Sequence, residues 1–167
     1  MLGPSPLLQH GRERAAKYRD APLLGGQSAL TGWEPELSGA RQALPPLVVH
    51  VDDDSGILHL TQIILDRFGT YRVMSFQHSA PALDACYEHH PAPLITDVMR
   101  PNDIDGATLC QWIRQDPLLH DLPLLLHTAK TDYGLQHLEG IAYVSKPCCP
   151  RDLVQVVDGL VEVGPLR

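Results

Sequence analysis

The stretch PLITDVMRP, residues 93–101, decides how the chain is read. Leu94 and Ile95 lead into Thr96 and then a carboxylate, Asp97, with Pro101 just beyond. This is the pattern of a short buried strand that ends in an acid and gives way to a loop. Open α/β sheets place their chemistry at such strand ends, so the rest of the chain is expected to serve as a holder for Asp97.

The flanking sequence supplies the holder. LVVHV (47–51) reads as a strand closed by Asp52, Asp53 and Asp54. Residues 56–68 place Ile57, Leu60, Ile64 and Phe68 on one side, with Leu58 and Leu65 beside them, as an amphipathic helix that Ser55 is placed to cap. YRVMSF (71–76) alternates like a strand, and Ser79 with Pro81 marks a helix running to about His89. Downstream of Asp97, residues 103–115 open on acid and glycine and continue as a helix. The run LPLLLHT (122–128) is continuously apolar, as a strand buried on both faces should be. A short helical piece near 132–139 leads to the strand IAYVS (141–145). Pro150 opens a last helix with Leu153, Val156, Val157 and Leu160 as its buried stripe. Five strands alternating with five helices predict an α/β fold: a doubly wound parallel sheet with helices on both faces.

Residues 1–45 differ from the rest. They hold five of the 15 prolines, with a sixth adjoining at Pro46, and six of the 13 glycines, and their apolar residues keep no regular period. They are expected to form a disordered N-terminal extension, with one weak helix near 11–20 and Trp33 as the residue most suited to docking. Five basic against four acidic side chains give the segment +1, so residues 46–167 carry −8 of the chain's −7 net charge.

That acidity argues against binding nucleic acid, and an aromatic content of 5% offers no base-stacking platform. Cys86, Cys110, Cys148 and Cys149 show no CxxC spacing and read as reduced thiols. No apolar run approaches the ~20 residues needed to span a membrane, and no signal peptide is evident. A cytoplasmic location is expected. The nine histidines show no HxxxH or HExxH spacing that would suggest a metal site.

Polar residues gather at the strand ends: Asp52 and Asp53, Asp97, Thr128, and Lys146. Converging carboxylates repel, so they must hold a proton or bind a cation. Hard oxygen ligands with room for water suit Mg2+. Lys146 brings a compact positive charge and Thr128 a hydroxyl donor, both suited to phosphate oxygens. Together these groups make a place to accept a phosphoryl group, with Asp97 as nucleophile. Taken alone, Asp52 and Asp53 also suit a solvated capping turn, and Tyr143 a plain core aromatic.

Over residues 46–163 the chain resembles the receiver domain of bacterial two-component response regulators, of the single-domain, chemotaxis-regulator-like type. The matching pieces are VDDD (51–54), Thr96-Asp97 with Pro101 and Asp105-Gly106, RQDPLLHDLPLLLHTA (114–129) and YVSKP (143–147). The resemblance implies a flavodoxin-like sheet in the order 2-1-3-4-5. It carries Asp97 to the phosphoacceptor and Asp52 and Asp53 to the Mg2+-binding acids. Met99 falls at the position whose backbone carbonyl ligates the metal. Thr128 matches the switch hydroxyl, Lys146 the active-site lysine and Tyr143 the aromatic rotamer switch. The implied phosphodonor is a histidine kinase or phosphotransfer protein, and the output a conformational change read by a downstream protein. A receiver of this kind promotes only its own phosphorylation and dephosphorylation.

Four features depart from the family pattern. RPNDIDG (100–106) has one residue more than usual between Asp97 and Asp105-Gly106, and the spacing from Thr128 to Lys146 is shorter by about one helical turn. His50 occupies a normally apolar strand position, and Lys146-Pro147, a junction often cis in the family, is followed by Cys148-Cys149. The extra loop residue and short fourth helix keep a second reading open: a phosphorylation-independent pseudo-receiver that acts as an interaction module. A phosphatase with an aspartyl nucleophile fits less well, because Met99 stands where its general acid belongs.

Overall fold

The computed structural model describes residues 44–129 and 140–163. The expectations for the N-terminal extension, including Trp33 and the helix near 11–20, and for a helix near 132–139 lie outside those residues. In chain order the elements are β1 (Leu47–Val51), α1 (Ser55–Gly69), β2 (Arg72–Phe76), α2 (Ser79–His89), β3 (Leu94–Thr96), α3 (Gly106–Gln115), β4 (Leu124–Thr128), β5 (Ile141–Ser145) and α4 (Pro150–Val163). All neighbouring strands pair in parallel, and the sheet order is β2-β1-β3-β4-β5. The doubly wound α/β architecture and the order 2-1-3-4-5 are those expected.

Alternation along the strands divides the core into two layers. Val49, Val51, Leu94, Leu124 and Leu126 face α2 and α3, where they meet Leu83, Cys86, Leu109 and Ile113. Val48, Ile95 and Leu125 face the other side with Ile64, Leu65, Leu153 and Val157 of α1 and α4. β3 and β4 are buried along their whole length, which is why their sequences are runs of apolar residues without alternation.

Local details correct the sequence reading. Asp54, not Ser55, caps α1, its carboxylate accepting from Gly56 N at 2.7 Å and Ile57 N at 3.2 Å. The buried stripe of α1 is Leu58, Thr61, Ile64 and Leu65, while Leu60 and Phe68 are exposed. The apolar arc of this helix is wider than the sheet can cover, and periodicity alone misplaced its centre. α3 starts at Gly106, later than residue 103, because Asp105 takes the cap position and accepts from Thr108 N at 2.9 Å. On α4 the buried residues are Leu153, Val154 and Val157, with Val156 and Leu160 at the margin. The Lys146-Pro147 bond is cis.

His50 and His127 share the α1/α4 side of the sheet, with ring centroids 6.3 Å apart. His50 is fully buried. Burial, then His127 and Lys146, pushes its imidazole down to about 3. Burial and the Lys146 ammonium push His127 down to about 4. Both rings are therefore neutral at pH 7. An unfolded imidazole takes up a proton below its ordinary value of 6.5, which the folded His50 refuses. The stability that depends on neutral His50 is complete above that value and declines as pH falls below it. Between pH 7 and pH 5 this residue alone is expected to cost about 2 kcal/mol of folding free energy. His50→Leu should flatten that part of the pH dependence in urea unfolding, and an unchanged slope would refute the assignment.

Candidate functional site

β1 and β3 are neighbours in the sheet, but the connections that follow them run to opposite sides, so a crevice opens between their carboxyl ends. Backbone pairing continues one residue past three strands and fixes the residues that line it. Asp52 N donates to Phe76 O at 3.1 Å, Asp97 N to Val51 O at 3.0 Å, and Lys146 N to Thr128 O at 2.9 Å. Each side chain thus leaves a pinned peptide at the rim of the sheet.

The rim brings together Asp52, Asp53, Asp97, Thr128 and Lys146. One carboxylate oxygen from each of Asp52, Asp53 and Asp97 lies within 4.8 Å of the others, and no other group of three metal-ligating side chains was found among the described residues. Asp52 is fully buried and Asp97 nearly so, while Asp53 faces solvent. Lys146 Nζ donates to Asp97 Oδ2 at 2.9 Å and to Asp52 Oδ2 at 2.5 Å. Asp52 Oδ1 accepts from Asp54 N at 2.9 Å, and Asp97 Oδ1 from Met99 N at 3.2 Å. The buried Thr128 hydroxyl also hydrogen-bonds to the Asp97 carboxylate.

The two buried acids respond in opposite directions. Burial raises the Asp52 carboxyl above its ordinary value, and the Lys146 hydrogen bond only partly offsets this. Asp97 suffers burial too, yet hydrogen bonds from Lys146 and Thr128 outweigh it and hold the carboxyl below its ordinary value. Burial would depress the Lys146 ammonium, but the bonds to Asp52 and Asp97 lift it above normal. Asp97 is consequently ionised at neutral pH, with a cation at its side. The acid cluster has the hard-oxygen donors, the excess negative charge and the one exposed member that suit Mg2+ with part of its water shell.

Met99 and Tyr143 stand apart from this group. Met99 sits two residues past Asp97 with its side chain 41% exposed, and Tyr143 lies on β5 with 39% exposed. The reading from sequence passed over Arg100 and Asp103. Both lie in the β3–α3 loop, and Arg100 is buried against Asp103 and Ser79. The available signal was the extra residue in RPNDIDG.

This fold and crevice are those of a receiver, and comparison with known proteins agrees. The response regulator receiver domain family matches residues 48–158, and the chain belongs to that family. It is 34% identical over 119 residues to the transcriptional regulatory protein GltR of Pseudomonas aeruginosa, covering 68% of this chain and 48% of that protein. It is 31% identical over 124 residues to the response regulator Rre1 of Synechocystis, covering 71% and 53%. The chain thus spans about half the length of these curated relatives. Among solved structures, a putative response regulator from Chloroflexus aurantiacus superposes with a TM-score of 0.63 at 35% identity, covering 71% of this chain and 98% of that one. The receiver domain of the sensor histidine kinase PA1611 of Pseudomonas aeruginosa, solved with magnesium in its active-site cleft, shares the fold at 19% identity and a TM-score of 0.62, covering 71% and 98%. No described helix is long and apolar enough to cross a membrane.

Gly106 shows how tightly the loop closes on the site. A Cβ at this position would lie 2.1 Å from the Asp97 carbonyl oxygen and 3.1 Å from Thr96 Oγ1. The Asp97 carbonyl is backbone and cannot yield without moving Asp97. Gly106→Ala is expected to destabilise the fold by about 1–3 kcal/mol, read as a lowered midpoint in thermal denaturation. An unchanged midpoint would show that the loop is looser than this packing requires.

Proposed function

We propose that this chain accepts a phosphoryl group on Asp97 from a histidine kinase or phosphotransfer protein, in a Mg2+-dependent reaction, and signals to a downstream protein through the resulting conformational change. The observation that carries the reading is the ionised Asp97 carboxylate, held by Lys146 at 2.9 Å beside two further acids. An Asp97 oxygen attacks the phosphorus of a phosphohistidine; the P–N bond breaks, the imidazole leaves, and an acyl phosphate forms. Lys146 and Thr128, which now serve the carboxylate, pass to the phosphoryl oxygens. Asp52, Asp53 and Asp97, with the Met99 carbonyl, would hold Mg2+, which when bound neutralises charge on the transferring group. Movement of Thr128 onto the phosphoryl group makes room for Tyr143 to turn inward from its exposed position, altering the face around β5. The magnesium in the cleft of the PA1611 receiver supports the same cofactor here.

The chain is proposed to act in the cytoplasm through protein contacts alone, with no direct role for nucleic acid or membrane. It catalyses only the gain and loss of its own phosphoryl group. The net charge of −7 supports protein partners over nucleic acid.

Incubation with Mg2+ and acetyl phosphate should add the mass of one phosphoryl group to the intact protein, and Asp97→Asn should abolish the addition. A folded protein that gains no mass under these conditions is instead a phosphorylation-independent interaction module. Lys146→Ala is expected to retain Mg2+ binding, since it removes a positive neighbour from the acids, while slowing phosphorylation by about 100-fold, the usual cost of one transition-state donor. Loss of both properties together would contradict the role given to Lys146.

A further inference from the structure

The β3–α3 loop contains an ion pair that the phosphoacceptor reading leaves unused. Arg100 has 3% of its surface exposed. Its Nη1 donates to Ser79 Oγ at 2.7 Å and to Asp103 Oδ2 at 3.0 Å, and its Nη2 donates to the Ile104 carbonyl at 2.7 Å. The same Asp103 oxygen accepts from Ser79 N at 2.6 Å and from Ser79 Oγ at 2.7 Å. Ser79 opens α2, and His78 in the cap position gives that helix no side-chain hydrogen bond. The helix therefore takes its cap from a loop residue 24 positions downstream. Buried charges cost free energy unless paired, and here the Arg100 Nη atoms and Asp103 join the β3–α3 loop to the start of α2.

The joined loop is the one that carries Met99. Asp103 N donates to Arg100 O at 3.1 Å, and Gly106 N to Val98 O at 3.0 Å. Met99 N points back to Asp97 Oδ1. The segment 98–106 is thus closed on itself and tied to α2 at Arg100, the residue after Met99. Arg100 is also close enough to interact electrostatically with Asp97. Its charge would oppose a cation in the crevice unless Asp103 answered it. Asp103 belongs to the loop stretch that is one residue longer than the family pattern.

We propose that Arg100, Asp103 and Ser79 form a clamp that positions the Met99 segment for a cation held by Asp52, Asp53 and Asp97, so that cation affinity depends on three residues that do not touch the ion. This rests on the Mg2+ site of the proposed function. All three are positioning residues, and outer-shell partners of metal ligands typically change affinity by about 10-fold to 100-fold.

The test is the Mg2+ dissociation constant of the full chain, measured by calorimetry together with the thermal midpoint of each variant. Arg100→Met combined with Asp103→Asn removes one charge of each sign, keeps the net charge at −7, and leaves an acceptor for Ser79. This double variant should bind Mg2+ at least ~10-fold more weakly. Asp103→Asn alone should bind it more weakly still, because Arg100 is then unanswered. Ser79→Ala, the mildest change, should shift affinity in the same direction by less, and Arg100→Lys should lie between wild type and the double variant. Should the double variant fail to fold, Ser79→Ala and Arg100→Lys decide the matter. Folded variants within twofold of wild type, whatever their midpoints, overturn the clamp alone. Wild-type protein that binds no Mg2+ at millimolar concentration overturns the phosphoacceptor reading and the clamp with it.

Discussion

Three carboxylates meet at one edge of a parallel sheet, and the fold has to make that tolerable. Asp52 and Asp97 are extended from the two central strands β1 and β3 by ladder hydrogen bonds, so neither can retreat from the other. Lys146 answers both with one ammonium, reaching in from the end of β5. Because Lys146 N is paired to Thr128 O, that ammonium is anchored to the same sheet as the acids it neutralises. The consequence is asymmetric. Asp97 gains more from its donors than it loses by burial, whereas Asp52 loses more than it gains. Asp97 is left ionised, and Asp52 as a carboxyl in want of positive charge.

Burial and the Lys146 ammonium also set the state of the neighbouring rings. His50 and His127 pack on the α1/α4 side of the sheet and remain neutral, since burial and Lys146 both oppose protonation. The other buried cation of the rim, Arg100, is matched by its own acid, Asp103, at 3.0 Å. Charge near the crevice is therefore separated into a working set around Lys146 and a self-contained pair in the β3–α3 loop. Gly106 lets that loop pass so close to Asp97 that no side chain could stand between them. Arg100 and Asp103 of this loop are engaged in contacts with Ser79 of α2 rather than reaching into solvent.

The chain belongs to the receiver family, and the residues of the crevice, from Asp52 to Lys146, lie within one matched stretch. The family match spans residues 48–158 and so includes every one of them. The relatives at 31–35% identity share the domain.

Much of this was legible in the residues alone. Parallel strands buried on both faces must be apolar throughout, so LITD and LLLHT declared their places. Acids, a hydroxyl and a lysine at strand ends had few bland uses in combination. Those features are local or periodic, and the sequence by itself determines them. Other features depend on which surface a neighbour happens to cover. The buried arc of α1 centres on Thr61 and Leu65 rather than Leu60 and Phe68 because the sheet and α4 reach only part of a wide apolar face. Asp54 rather than Ser55 caps that helix because backbone geometry at the end of β1 turns its carboxylate onto the free amides. Above all, the link from Arg100 and Asp103 to Ser79 joins residues more than 20 positions apart. No periodicity or motif encodes such a contact; only the packing of α2 beside the β3–α3 loop brings those partners within hydrogen-bond reach.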